Sequence, residues 1–146
     1  MYVGEWKSGK SHGVGEFWHA NGDHFEGDFV NDKAHGWGKY THSNGSVYEG
    51  AWKNDLQHGE GKEILADGSV YEGEYANGKK EGHGVFKWAD GSSYDGDWTN
   101  NLMHGEGTHK WADGRKYDGS FKNGKMNGEG VYDWGDGQYF FSFAVL

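Results

Sequence analysis

The sequence predicts an all-β protein: a single-layer antiparallel meander of β-hairpins that forms an elongated, twisted rod. Three observations support this fold class. A 23-residue pattern repeats along the chain, aromatic or glycine residues alternate with polar residues inside it, and turn-forming residues recur at fixed places. The 146 residues include 28 glycines and 17% aromatic residues but no proline or cysteine, so disulfides and thiol chemistry are excluded.

An aromatic residue begins each repeat, and the spacing holds without one insertion. The six starts are Tyr2, Phe25, Tyr48, Tyr71, Tyr94 and Tyr117. The predicted units are therefore residues 2–24, 25–47, 48–70, 71–93, 94–116 and 117–139. Residues 140–146 break the phase and are predicted to form an apolar C-terminal strand or cap. Glycine returns at fixed positions of every unit, which indicates that it serves the architecture and is not a flexible linker.

Each unit is predicted to contain two strands and two turns. The first strand, such as residues 48–52, alternates aromatic or glycine residues with polar ones at the period of a half-buried strand. Asn77-Gly78 is a type I′ hairpin signal, and the other units carry residues that tolerate positive φ at the same place. The second turn, such as Ala89-Asp90-Gly91, is typical of a three-residue loop with a left-handed glycine.

These loop lengths also predict a register that keeps every aromatic residue on one face of the sheet and places the first ring of the unit, Tyr71, over a glycine. A register slip of one residue would turn all of these rings to solvent. The predicted pairs are Tyr75–Lys80, Gly73–Gly82 and Tyr71–Gly84 within one unit, and Phe86–Tyr94 and Gly84–Gly96 across the second loop.

The fourth unit carries the motifs that make the sequence recognisable. Its segments Tyr71-Glu72-Gly73-Glu74-Tyr75, Gly78-Lys79, Gly82-His83-Gly84 and Asp90-Gly91 closely resemble the MORN (membrane occupation and recognition nexus) repeat. Six copies agree in phase over residues 2–139. The resemblance implies a twisted single-layer meander used for scaffolding in cytoskeletal structures, ciliary radial spokes and membrane junctions, or as an accessory module of some enzymes. It implies no catalytic residues.

Histidine precedes the Gly-x-Gly pair in four units, at His12, His35, His58 and His104, whereas Glu81 and Asn127 replace it in the other two. Equivalent residues of neighbouring units lie ~10 Å apart in such a sheet, so these histidines cannot share one zinc ion. Hydrogen-bonding or packing roles are expected instead. A calcium site at the Asp-Gly turns is the alternative, but no metal or cofactor site is predicted.

The sequence gives little support for cofactor binding, catalysis or binding to a polyanion. The Gly-x-Gly pairs lack the third glycine and the helix of a dinucleotide fingerprint, and the carboxylates repeat without forming one special pair. No catalytic residue is therefore predicted. The net charge of −9, with no basic cluster, disfavours nucleic acid and anionic lipid surfaces as partners.

Two surfaces are predicted. Acidic residues of the first strands, including Glu26 and Asp28, Glu72 and Glu74, and Asp95 and Asp97, lie on a back face that is either simply solvated or steers a partner. Four positions of each unit lie on the aromatic face, where the rings either cover one another or form an open groove. The protein-binding residues are expected in the later units: Trp88, Tyr94, Trp98, Trp111, Tyr117, Phe121 and Trp134.

These observations lead to one main functional expectation. The chain is expected to be a non-enzymatic scaffold that docks an amphipathic helix or an extended peptide on its aromatic face. The resemblance places it in the cytoplasm, in a cytoskeletal or ciliary assembly such as the axoneme. Self-association through the C-terminal strand is a further expectation. The alternatives are a membrane module that binds phospholipid headgroups, which salt-sensitive binding to anionic vesicles would reveal, and the accessory domain of a larger enzyme.

Overall fold

The computed structural model describes residues 1–137 and 139–145. In these residues thirteen strands form one sheet, and their order in the sheet is their order in the chain. Every neighbouring pair is antiparallel, which confirms the predicted all-β meander. The strands are β1 (Tyr2–Lys7), β2 (Lys10–Trp18), β3 (His24–Val30), β4 (Lys33–Thr41), β5 (Val47–Lys53), β6 (Leu56–Ile64), β7 (Val70–Ala76), β8 (Lys79–Lys87), β9 (Ser93–Thr99), β10 (Leu102–Lys110), β11 (Lys116–Lys122), β12 (Lys125–Asp133) and β13 (Tyr139–Val145).

Both predicted turns are present. In the first turn of the fourth unit, Asn77 and Gly78 have φ values of 50° and 83°, as a type I′ turn requires. In its second turn, Gly91 has a φ of 92° and donates its amide to the Trp88 carbonyl at 3.1 Å. The first turns of the other units show the same positive φ values, at Ser8-Gly9, Asn31-Asp32, Asn54-Asp55, Asn100-Asn101 and Asn123-Gly124.

The register is partly as predicted. Tyr75 pairs with Lys80, and across the second loop Phe86 pairs with Tyr94 and Gly84 with Gly96, all as expected. The other two predicted pairs are wrong, because the register shifts between Gly73 and Tyr75. The observed pairs there are Gly73–Gly84, in place of Gly73–Gly82, and Tyr71–Phe86, in place of Tyr71–Gly84.

A β-bulge causes this shift. Residues 81–83 of β8 all lie opposite Glu74, and the chain turns at Gly82, whose φ is +85°. The Glu74 carboxylate accepts the amide of His83 at 2.6 Å and so satisfies a donor that the bulge takes out of the ladder. Acidic side chains at Glu5, Asp28 and Asp97 accept the equivalent amides of their own units.

The bulge brings two glycines opposite each other, beneath an aromatic ring. A Cβ atom on Gly73 would overlap the Gly84 Cα atom and would lie 2.6 Å from the His83 carbonyl oxygen. A Cβ atom on Gly84 would overlap the Tyr71 hydroxyl group and would lie 2.5 Å from the ring carbon Cζ. The ring of Tyr71 therefore lies diagonally across the glycine pair, and the prediction that it covers Gly84 holds although the two residues are not paired.

The core of this single layer is a zigzag of aromatic rings. Tyr71 contacts Tyr75 of its own unit and Trp98 of the next unit edge to face, with ring centroids 5.2 and 5.4 Å apart. Such T-shaped contacts place the positive edge of one ring on the negative face of another. Each Tyr hydroxyl also needs a partner when it is buried, and Tyr71 donates to the Glu74 carbonyl at 2.9 Å. The rings at this position in units three to six are fully buried: Tyr48, Tyr71, Tyr94 and Tyr117.

Hydrogen bonds join neighbouring units. The His58 Nδ1 atom accepts the amide of Asn77 in the following turn at 3.3 Å, and His35 and His104 do the same in their units. In the fourth unit the Glu81 carboxylate accepts the corresponding Asn100 amide at 2.6 Å. His35, His58 and His104 thus have the hydrogen-bonding role that was expected, whereas the buried Nδ1 atom of His12 has no hydrogen-bond partner within the described residues. Glu81 can replace histidine because the role needs only an acceptor.

A different set of hydrogen bonds joins the first two units. The carboxylate of Asp23 accepts hydrogen bonds from the Tyr40 hydroxyl at 2.6 Å and from the Ser43 amide at 2.8 Å. These bonds, with the Tyr40 bond the largest contribution, lower the pKa of Asp23 to about 2. Serine occupies the equivalent position in the next three units, at Ser46, Ser69 and Ser92.

We expect Gly84→Ala to destabilise the protein by about 1–3 kcal/mol, the usual cost of an overpacked core, and Gly84→Val to cost more. The added atoms occupy the space that the Tyr71 ring fills. Because damage in repeat proteins spreads to nearest neighbours, amides of residues 48–116 should lose protection from hydrogen exchange first. Val85→Thr, a change of similar volume on the back face, is the matched control and should alter neither measurement much. Equal stability of Gly84→Val and the control would contradict the packing described here.

We expect Asp23 to make part of the stability depend on acid pH. Its pKa is lowered in the folded state, so its contribution is complete above the unfolded value of about 3.9 and is lost as the pH falls toward the folded value. Denaturant unfolding at several pH values should show a steeper loss of stability between about pH 4 and pH 2 in the wild type than in Asp23→Ser. If the free energy of unfolding fell equally with pH in both proteins, the hydrogen bond from Tyr40 would not stabilise the ionised form of Asp23.

Candidate protein-binding surface

The residues predicted to bind a partner fall into two groups. Tyr94, Trp98, Tyr117 and Phe121 expose only 0–6% of their surface, because they belong to the ring zigzag of the core. The remaining members are more accessible: Trp88 and Trp111 are partly buried, and Trp134 is 48% exposed. Of the seven predicted residues, only Trp88, Trp111 and Trp134 present ring surface that a partner could reach without displacing the core.

The three tryptophans belong to a continuous row of rings along the edge of the aromatic face, which we call the outer row. Neighbouring rings in this row have centroid separations from 4.4 Å, between His109 and Trp111, to 5.4 Å, between Trp111 and Tyr132. The sequence prediction did not include the alternating members of the row, although their place two residues before each tryptophan is a signal for them. In chain order the outer row is Phe86, Trp88, His109, Trp111, Tyr132 and Trp134.

The outer row is specific to the later units. Phe17, His19, Tyr40 and His42 form a shorter row in the first two units. In the third unit Glu63 and Leu65 occupy the corresponding positions and interrupt the rings. The sequence difference between early and late units therefore produces two separate aromatic surfaces.

The centre of the outer row is uncharged at neutral pH. Burial between Trp88 and Trp111 lowers the pKa of His109, and the nearby charge of Asp90 opposes this only in part. The one guanidinium beside the described part of the row belongs to Arg115, whose Cζ atom lies 5.3 Å from the Trp111 ring centroid. Arg115 also donates to Asp113 at 2.7 Å, so its charge is already paired. The row consequently offers mainly apolar ring surface.

The back face is less uniformly acidic than predicted. Lys39 pairs with both Glu26 and Glu49, and Lys62 pairs with both Glu49 and Glu72, so opposite charges alternate across β3 to β7. The first strands alone indicate an acidic face, because the compensating lysines belong to the second strands. Asp28, Glu74 and Asp97 accept bulge amides, so their role is structural as well.

Two further features of the back face were not predicted. Trp37 is 54% exposed and lines a depression of about 540 Å³ with Lys39, Glu60 and other residues. Near the first units, ligand atoms of Glu16, His24 and Glu26 lie within 4.8 Å of one another, a spacing that a metal ion could accept. The cross-strand pairing of Glu16 with Glu26 creates this group, and only the register reveals it.

Comparisons with known proteins agree with this architecture. The profile of the MORN repeat family matches residues 2–24, 25–47, 48–70, 71–93, 94–114 and 117–139. Comparison with curated proteins gives no match. The described residues form no helix long and apolar enough to cross a membrane. Because the family profile matches almost the whole chain in consecutive repeats of about 23 residues, the chain belongs to the MORN repeat family.

Proposed function

We propose that the protein is a non-enzymatic scaffold that docks an amphipathic segment of a protein partner on the outer row. MORN repeats indicate a repeat-protein scaffold or binding module. The observation that carries the finer proposal is the unbroken outer row, which remains accessible at Trp88, Trp111 and Trp134 after the core is packed. No second layer covers it within the described residues, since these form a single sheet.

The dimensions of the outer row suit a short helix or an extended peptide. The row spans three units, and each unit adds two strands, so its length is roughly 20–30 Å. A helix of about 14–20 residues has the same length. Apolar residues on one face of such a helix would pack against the rings, as in other complexes in which a helix lies in a groove.

The tryptophans of the outer row should contribute most of the binding energy. Trp residues are enriched among the side chains that dominate binding energy, because they bury a large rigid surface at low entropic cost. The neutral state of His109 keeps the centre of the row free of an uncompensated charge that a partner would have to desolvate. Acidic residues at the back, such as Asp95 and Asp118, would then affect long-range attraction of a partner more than its retention.

The cellular setting is part of the same proposal. A cytoplasmic location in a cytoskeletal or ciliary assembly rests on what the family resemblance implies. Self-association through residues 140–146 also stays a prediction: β13 pairs with β12, and the second edge of β13 would be the point of contact. The acidic net charge of −9 continues to disfavour an anionic membrane as the main partner.

We expect Trp111→Ala to weaken partner binding by about 30-fold or more, which corresponds to 2 kcal/mol, without unfolding the protein. A photo-crosslinking amino acid at the exposed neighbouring position 112, which keeps the Trp111 ring, would first identify the partner segment, and a synthetic peptide of that segment would then be titrated. The matched control is Glu72→Ala on the opposite face, which should change the association rate or the salt dependence more than the dissociation rate. The proposal fails if Glu72→Ala abolishes binding while Trp111→Ala has no effect.

A further inference from the structure

A pocket of about 290 Å³ lies on the aromatic face of the first three units, away from the outer row. Its walls are aromatic rings, and two carboxylates, Asp32 and Asp55, stand beside them. The wall rings are Phe17, Phe25, Phe29, Tyr40 and Trp52, with the His19 ring and Ala34 completing the lining.

The pocket exists because one side chain is short. Ala34 is the second residue of β4, and in the later units the same position holds a long side chain, namely Lys80, Met103 or Met126. The methionines belong to the residues packed against the ring zigzag in their units. With alanine at position 34 the corresponding space among the rings stays open.

The fourth unit shows what chemistry this space accepts. The Lys80 Nζ atom lies 5.1 Å from the centroid of the Tyr71 ring and 5.9 Å from that of Phe86, both within the range of a cation–π interaction. It also lies 3.7 Å from the Glu63 carboxylate. Two repeats earlier, the equivalents of the two rings are Phe25 and Tyr40, and both line the pocket.

In the fourth unit the negative charge beside the ammonium group comes from Glu63, whereas at the pocket it comes from two other carboxylates. There Phe17 replaces Glu63, but Asp32 and Asp55 occupy turn positions that, two repeats later, hold Gly78 of the fourth unit and Asn101 of the fifth unit. The Oδ1 atom of Asp32 accepts the Ser11 amide and that of Asp55 accepts the Ala34 amide, each at 2.7 Å. Within the described residues the second oxygen of each carboxylate accepts no hydrogen bond, so both can face a cation.

We propose that this pocket binds the alkylammonium group of a lysine side chain that the partner protein supplies. The partner lysine takes the place that Lys80 fills within the fourth unit: its methylene groups pack on the aromatic walls, and its charge lies between the rings and the two aspartates. The inference rests on the proposed function in that the lysine belongs to a segment crossing the aromatic face. The pocket adds a second contact point at the other end of the aromatic face, and this contact selects a positively charged side chain.

The test uses n-butylammonium as the probe of the pocket and 1-butanol as its uncharged counterpart. Two-dimensional NMR of the wild-type protein should show saturable shifts at Ala34, Tyr40 and Trp52 with n-butylammonium. The affinity for 1-butanol should be at least about tenfold lower, because the cation–π and carboxylate contacts are lost. Equal affinity for the two probes, or no saturable shift with n-butylammonium, would overturn the proposal.

Two variants test the residues of the pocket directly. Ala34→Lys should abolish n-butylammonium binding, because its own ammonium group would fill the pocket as Lys80 does in its unit. The double change Asp32→Asn and Asp55→Asn should weaken binding of the probe by about tenfold while keeping the amide contacts, since Asn101 of the fifth unit accepts the Lys80 amide at 2.8 Å. Thermal melting would confirm that both variants fold. Unchanged probe binding in either variant would contradict the proposal.

Trp111→Ala separates this inference from the proposed function. The variant changes the outer row and should bind n-butylammonium as the wild type does. If the pocket fails its test while Trp111→Ala still weakens the partner segment, the inference is wrong and the proposed function stands. If the pocket binds the probe and Trp111→Ala leaves partner affinity unchanged, the pocket remains and the outer row is not the docking surface.

Discussion

The close approach of two glycines beneath a tyrosine ring is the contact on which the rest of this structure depends. A single sheet has no second layer against which to bury its side chains. At Gly73 and Gly84 the absence of Cβ atoms lets the backbones pair while the Tyr71 ring lies directly upon them. The ring then exposes no surface to solvent, so each unit gains a core without a covering layer.

The other features follow from this contact. The bulge opposite Glu74 is needed to bring the glycines into register. The Glu74 carboxylate accepts a hydrogen bond from the amide that the bulge removes from the ladder. In the first five units the first ring packs against a ring of the next unit, so the units depend on their neighbours, as in other repeat proteins. The outer row of the later units and the pocket opened by Ala34 are the positions that this packing does not use, and we propose that partners bind there.

The sequence predicted the features that depend on local residues and missed those that depend on pairing. The repeat, the type I′ turn at Asn77-Gly78 and the ring over Gly84 were all foreseeable from spacing. The Gly73–Gly84 pair was not, because loop lengths do not reveal a bulge that a carboxylate stabilises across the hairpin. The sequence likewise indicated an aromatic face, but because burial depends on the pairing it could not distinguish Tyr94, which lies in the core, from Trp111, which lies in the outer row.

Spectrophotometric titration of the tyrosines would test the buried-ring account most directly. Burial raises the pKa of Tyr48, Tyr71, Tyr75 and Tyr94 well above the ordinary value of about 10. The account predicts that, between about pH 9 and pH 11, clearly fewer than the nine tyrosines ionise in the folded protein, and that the rest ionise only as the chain unfolds. Ionisation of all nine near pH 10, with the β-sheet circular dichroism intact, would show that the rings are not buried and would contradict it.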